Sequence, residues 1–313
     1  MFRSTSSSAL RKTLLAGGVL IGLIGTAFIP ANSAQAPGGR GQPALPAAWL
    51  EVSKNGMPNL ASIEFAWLAD GADWMDPPAG TQGHGRIKND PAHPFLGNVD
   101  ALRSGRQPTL RIGDAKDPVL KPWAAKAMAD SNEEALSGRL DVPFAAQARC
   151  WPGGVPGQLL YPAEPIYFIQ TPKIVYIIWQ RDHMVRRVFL TDKHSTNLTP
   201  QSFGESIGHY EGPNTLVVDT IGLATKNNYI DNFRTPHTTK EHVVERFTIS
   251  PDGKNLTALV TVDDPDTFNE PIHMKQTWHK VANPLLETIC AEGNYNYFNQ
   301  KLFPMPEATK ADF

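Results

Sequence analysis

The chain has 313 residues, with 29 Lys and Arg against 31 Asp and Glu and a formal net charge of −2. No basic run breaks that balance, which excludes the electrostatic footprint of a nucleic-acid or anionic-lipid binder. Past the first 36 residues, no stretch approaches the roughly 18 apolar residues that a membrane-spanning helix needs.

Arg3, Arg11 and Lys12 precede the apolar run LLAGGVLIGLIGTAFIP, and Ala34-Gln35-Ala36 follows it. Basic head, apolar core and small-residue end read as a secretory signal over 1–36, cleaved after Ala36. No cysteine closes the signal, so a lipid anchor is not expected. The leader carries three basic and no acidic residues, which leaves 26 Lys and Arg against 31 Asp and Glu, a net charge of −5. The protein is thus expected in the periplasm, free of the membrane once the signal is cut.

PGGRGQPALP (37–46) reads as a flexible leader and 46–54 as a short helix ended by Asn55-Gly56. From Asp70 to Asp117 the chain is rich in Gly, Pro, Asp and His without a sustained period. Trp74 and Phe95, with Trp67 just before them, give this stretch apolar material to bury, so it reads as ordered loop rather than linker. PWAAKAMADSNEEAL (122–136) is the clearest helix: Pro122 suits the first helical position and Ser137-Gly138 ends it. The irregular and helical part is taken as 37–140, packed on a β domain of 141–313.

After Cys150 eight segments alternate with period two: 165–171, 173–180, 185–190, 206–212, 214–223, 242–250, 255–264 and 272–281. Short connections separate them and no helical crossover does. That order predicts a mainly β fold, an antiparallel meander closed into a lipocalin-like barrel. Cys150 and Cys290, the two cysteines, fit one disulfide in an oxidising compartment, with a free buried pair as the alternative.

Alternation also assigns faces. HVVERFTI puts Glu245 with Val243, Phe247 and Ile249 on an apolar face. The remaining inward assignments are Arg187 with Val185 and Phe189, His209 and Glu211 with Ile207, and Asp219 with Val217 and Ile221. Buried charges must pair or meet water in a cavity. Either they form an ion network that sets strand register, such as Glu245 with Arg187, or they line a polar site in the barrel mouth. The loop TPHTTKEH is placed to carry His237 or His242 to the rim, and a histidine beside a carboxylate suits acid/base work near neutral pH.

The candidate catalytic set is Glu245, Asp219, His237 and Arg187: a carboxylate base, a histidine acid and a cation for developing negative charge. His209, Tyr210, Glu211, His242 and Arg246 are the candidate substrate contacts. HExxH, HxH and CxxC spacings are lacking, so no metal is expected, and the lack of a phosphate or dinucleotide loop gives no reason to expect a cofactor. Gly204-Glu205-Ser206-Ile207-Gly208 fits the GxSxG pattern but leads into a strand and not a helix, which argues against a nucleophile elbow. The expected activity is cofactor-independent hydrolysis, elimination or isomerisation of a small organic molecule in the barrel cavity, the alternative being a non-catalytic small-molecule binder. Oligomeric state is not legible.

CWPGGVPG, FIQTPKIV, RRVFL, GESIGHYEGPNTLVVDTIG, TPHTTKEHVVERF and ICAEGNYNY resemble a large family of exported bacterial proteins of uncharacterised function. Its signatures read GxSxGx(W/Y)EGxxTLVVDT and CxEGNY, and the likeness spans about 109–300. The resemblance implies shared polar positions at Arg187, His209, Glu211, Asp219, His237, Glu245, Arg246 and Glu292, with Cys150 and Cys290. Tyr210 stands where Trp is frequent, and Pro213-Asn214 where a single Asp is usual. The resemblance implies export, not a reaction.

Overall fold

Every period-two segment is a strand in the computed structural model, which describes residues 60, 65–137, 150–161, 164–282 and 286–290. In chain order they are β2 (Ile166–Gln170), β3 (Ile174–Trp179), β4 (Val185–Phe189), β5 (Glu205–Glu211), β6 (Thr215–Ile221), β7 (His242–Ile249), β8 (Asn255–Asp263) and β9 (Ile272–Val281). A ninth strand, β1 (Ala66–Ala69), comes from the stretch without sequence period and pairs with both β9 and β2. The ring closes in sequence order from β1 to β9.

Nine strands cannot alternate direction around a closed ring, so an odd number of neighbouring pairs must run parallel. That pair is β4 and β5, with Val188 opposite Ser206 and Phe189 opposite Ile207. The purely antiparallel meander is corrected here: 190–204 returns along the wall as loop, without the helix that such a connection usually holds. Gln201 bonds Gly222 backbone to backbone, pinning the loop beside the end of β6. Gly204 then enters β5 at φ +55, a conformation a side chain would resist.

Helix α1 (Asn98–Ser104) is short, and α2 (Pro122–Leu136) has the bounds its sequence indicates. The α2 residues Ala124, Met128 and Ala135 are buried. Trp74, in the loop before α1, is buried and its Nε1 donates to the Ile230 carbonyl at 2.9 Å. The expected leader of 1–36, the helix of 46–54 and the boundary at 141 lie outside the described residues.

Inward positions of the strands fill the barrel. Phe168 meets Phe247 edge to face at 5.8 Å, and Phe247 leans on Trp278 at 6.2 Å. Val175, Val218, Leu256 and Ala258 are wholly buried around them. Burying aromatic rings of this size is the main source of stability in such a core. Cys150 and Cys290 form a disulfide, closing a loop across 140 residues of sequence. Among the described residues, no helix is long and apolar enough to cross a membrane.

Candidate functional site

The inward polar residues form a paired network. Glu245, fully buried, receives the guanidinium of Arg186 through both oxygens, at 2.9 and 2.5 Å. Arg186 also donates to Ser206 at 3.0 Å and to Thr220 at 2.7 Å, and Ser206 bonds Thr220 at 2.9 Å. The expected partner, Arg187, is corrected to Arg186. In β4 the buried positions are Arg186 and Val188, and Arg187 points outward, its guanidinium 5.6 Å from the ring centre of Phe189. Ser206 of the GxSxG stretch is part of this core network and not an exposed nucleophile.

Three further assignments reverse. His209, Glu211 and Asp219 lie on the outer wall, since the inward, most deeply buried positions of their strands are Ser206, Gly208, Leu216, Val218 and Thr220. Gly208 has to be inward and small: a Cβ there would lie 2.7 Å from the Val217 carbonyl and 2.8 Å from Val188. Tyr210 shares the inner face, and the Gln170 amide donates to its hydroxyl at 2.9 Å. Outside, Arg246 forms a two-point ion pair with Glu211, and His209 lies 3.4 Å from the same carboxylate. The hydrogen bond from Arg246 is the main reason the Glu211 carboxyl is held below its ordinary range.

His237 is buried, its Nδ1 2.7 Å from the fully buried Glu241. Burial alone depresses a histidine, but the Glu241 charge and hydrogen bond reverse that and hold His237 above its ordinary value. The four expected catalytic residues therefore do not converge. Glu245 sits in the core, Asp219 and Arg187 on the wall, and His237 beside Glu241.

What converges is a different set, around a histidine that the strand pattern does not single out. His194, in the loop 190–204, has Nδ1 3.1 Å from Glu205 and Nε2 2.9 Å from Asp219. His242 brings its own Nε2 to the same Asp219 oxygen, at 2.9 Å. Both ring nitrogens of His194 thus face a carboxylate. Ser195 completes the cluster, donating to Glu205 through its amide at 2.7 Å and its hydroxyl at 2.5 Å. Burial opposes charge on Glu205, yet these hydrogen bonds from Ser195 and His194 hold its carboxyl below the usual range.

Glu205 and Ser195 open onto a groove of about 500 Å³ on the barrel's outer wall. Its floor is apolar, with Ile174 opposite Phe189 and Phe189 opposite Ile207 on three neighbouring strands. Lys173 and Lys193 also line it. A second depression of about 320 Å³ shares Phe189 and Glu205 and is lined by Arg187, Asn197, Thr199 and Gln201. Glu205 thus stands between an apolar lobe and a polar one.

Among the described residues, no group of three or more His, Cys, Asp and Glu is arranged to hold a metal ion. Comparison with protein families and with curated proteins gives no match for this chain.

Proposed function

We propose that this is an exported, periplasmic protein that binds a small organic molecule in the groove on the barrel's outer wall. There it transforms that molecule by cofactor-independent acid/base chemistry, as a hydrolase or lyase. One observation carries the reading: a groove-lining carboxylate, Glu205, is joined through His194 to Asp219 and on to the half-exposed His242.

The parts divide the work as follows. A substrate entering the groove displaces the Ser195 hydroxyl from Glu205, removing one of the bonds that lower its pKa and so restoring its basicity. Glu205 then takes a proton from the bound molecule or from an attacking water on Oε2, the oxygen that the Ser195 hydroxyl leaves, and returns it to the leaving group. His194 holds Oε1 and is itself anchored by Asp219, which His242 braces from the other side. Such an array is worth roughly 10²–10⁴ in rate when its proton acceptor reaches the reacting atom.

A second reading is a non-catalytic binding protein, and one observation favours it. Ser195 and His194 leave Glu205 a weaker base than an ordinary carboxylate, which suits recognition of a hydroxyl or amine. Incubation of the protein with a bacterial metabolite extract, followed by mass spectrometry, separates the two. Under the catalytic reading the wild type depletes a metabolite, and Glu205→Gln and His194→Gln lower that rate at least a hundredfold. A metabolite that raises thermal stability without being consumed supports the binding reading. Depletion at equal rates by all three proteins removes the site from the chemistry.

A further inference from the structure

We infer that the ligand of the groove is an amphipathic carboxylate: an anionic head held by Lys173, an apolar body over Ile174, Phe189 and Ile207, and its reacting end at Glu205. This rests on the reading of the groove as the functional site and adds the substrate class and its direction.

Strand register supplies the direction. Ile174, Phe189 and Ile207 form one row across β3, β4 and β5. Lys173 lies one residue beyond that row, level with Leu190, whose amide bonds the Lys173 carbonyl at 2.8 Å. Glu205 lies two residues to the other side, because β5 runs parallel to β4. The two residues are therefore separated by three residue steps along the strands, roughly 10 Å, and by two strand spacings across them, also roughly 10 Å. Roughly 14 Å between backbones, less the reach of a lysine side chain, suits an apolar body of roughly six to eight carbons.

Charge sets the same polarity. No hydrogen bond or ion pair engages the ammonium of Lys173 among the described residues. Glu205 is the one acidic side chain among the residues lining the groove. It is held ionised by Ser195 and His194, and so repels a carboxylate from its own end. An anion is thus attracted to one end and rejected by the other, while the apolar row between them removes hydrocarbon from water. An alkylamine would meet the opposite field, and a neutral alcohol of equal length would gain only from burial.

Calorimetric titration at low ionic strength with octanoate, octylamine and 1-octanol tests this. The wild type is expected to bind octanoate at least tenfold more tightly than either of the others. Lys173→Glu should weaken octanoate at least tenfold while leaving the thermal midpoint unchanged, since its side chain is exposed. Should that variant fail to fold, Lys173→Gln serves, with a smaller loss expected in the same direction. Equal affinity for octanoate and octylamine, or octanoate binding untouched by the lysine change, overturns the assignment. The extract assay keeps the two claims apart. Turnover lost in Glu205→Gln with no carboxylate preference leaves the acid/base site and removes this substrate class. Carboxylate binding through Lys173 with turnover intact in Glu205→Gln keeps the ligand class and removes the acid/base reading.

Discussion

Arg186 and Glu245 lie on strands that are not neighbours, yet they close into a two-point ion pair inside the barrel. Ser206 of β5 and Thr220 of β6 bridge the interval between them. Four consecutive strands are thereby tied through one guanidinium. A misregister of one residue in any of them would turn its polar member to the outside.

Removing one partner leaves the other as an uncompensated buried charge. Glu245→Gln is therefore expected to destabilise the fold by about 3–5 kcal/mol in urea unfolding. Changing Arg186 to Met and Glu245 to Leu together should recover most of that loss, because a well-packed apolar pair avoids desolvating charge. A loss under 1 kcal/mol for Glu245→Gln would mean that water reaches the pair.

Much of this barrel is legible in the sequence, and the failures have physical reasons. Glu245 reads as inward because Val243, Phe247 and Ile249 leave no doubt about its face. In VRRVF both faces carry one arginine and at least one apolar residue, so alternation alone does not choose between Arg186 and Arg187. In TLVVDTI the outward Val217 is only 5 % exposed, flanked by His209 and Arg246 on the neighbouring strands, so both faces look apolar. Alternation therefore points Asp219 inward, against the structure. Strand β1, with four residues, is too short to show a period. His194 sits in a loop, and its partners lie 11 and 25 residues away, so only folding brings them together.

The disulfide tethers Cys150, ahead of β2, to Cys290, after β9. Cross-linking residues so far apart removes denatured-chain freedom worth about 4–5 kcal/mol on the chain-entropy account. Cys150→Ser with Cys290→Ser should lower the urea midpoint and the thermal midpoint together. No change in either would show that the unfolded chain is already held compact there.

Surface and core ion pairs should differ sharply. Arg246 and Glu211 form a two-point pair like that of Arg186 and Glu245, but both lie on the solvated wall. Water screens such a pair, and ordering two long side chains opposes it. Arg246→Ala is expected to leave the urea midpoint unchanged within experimental scatter. A midpoint shift comparable to that of Glu245→Gln would contradict this assignment.

Asp231 supplies a pH signature. Burial pushes its carboxyl up to about 6, although the Thr235 hydroxyl and the amides of Thr235 and Phe233 favour its charged form. A raised carboxylate makes the folded state bind more protons than the unfolded one between about pH 4 and 6. Its contribution to stability is therefore greatest below that window and is lost as pH rises through it, by about 3 kcal/mol at most. Asp231→Asn should match the wild type near pH 4 and gain on it up to pH 7. A difference between the two proteins that stays constant with pH would place Asp231 at its ordinary value in the fold.

On the proposed function, the ligand site is on the wall of the barrel and not in its lumen. Methyl-resolved NMR during an octanoate titration reads this directly. Shifts at Ile174, Leu190 and Ile207, with Val243, Leu256 and Val260 unmoved, are the expected result. Saturable shifts at those three lumen methyls, with the groove methyls silent, would contradict it.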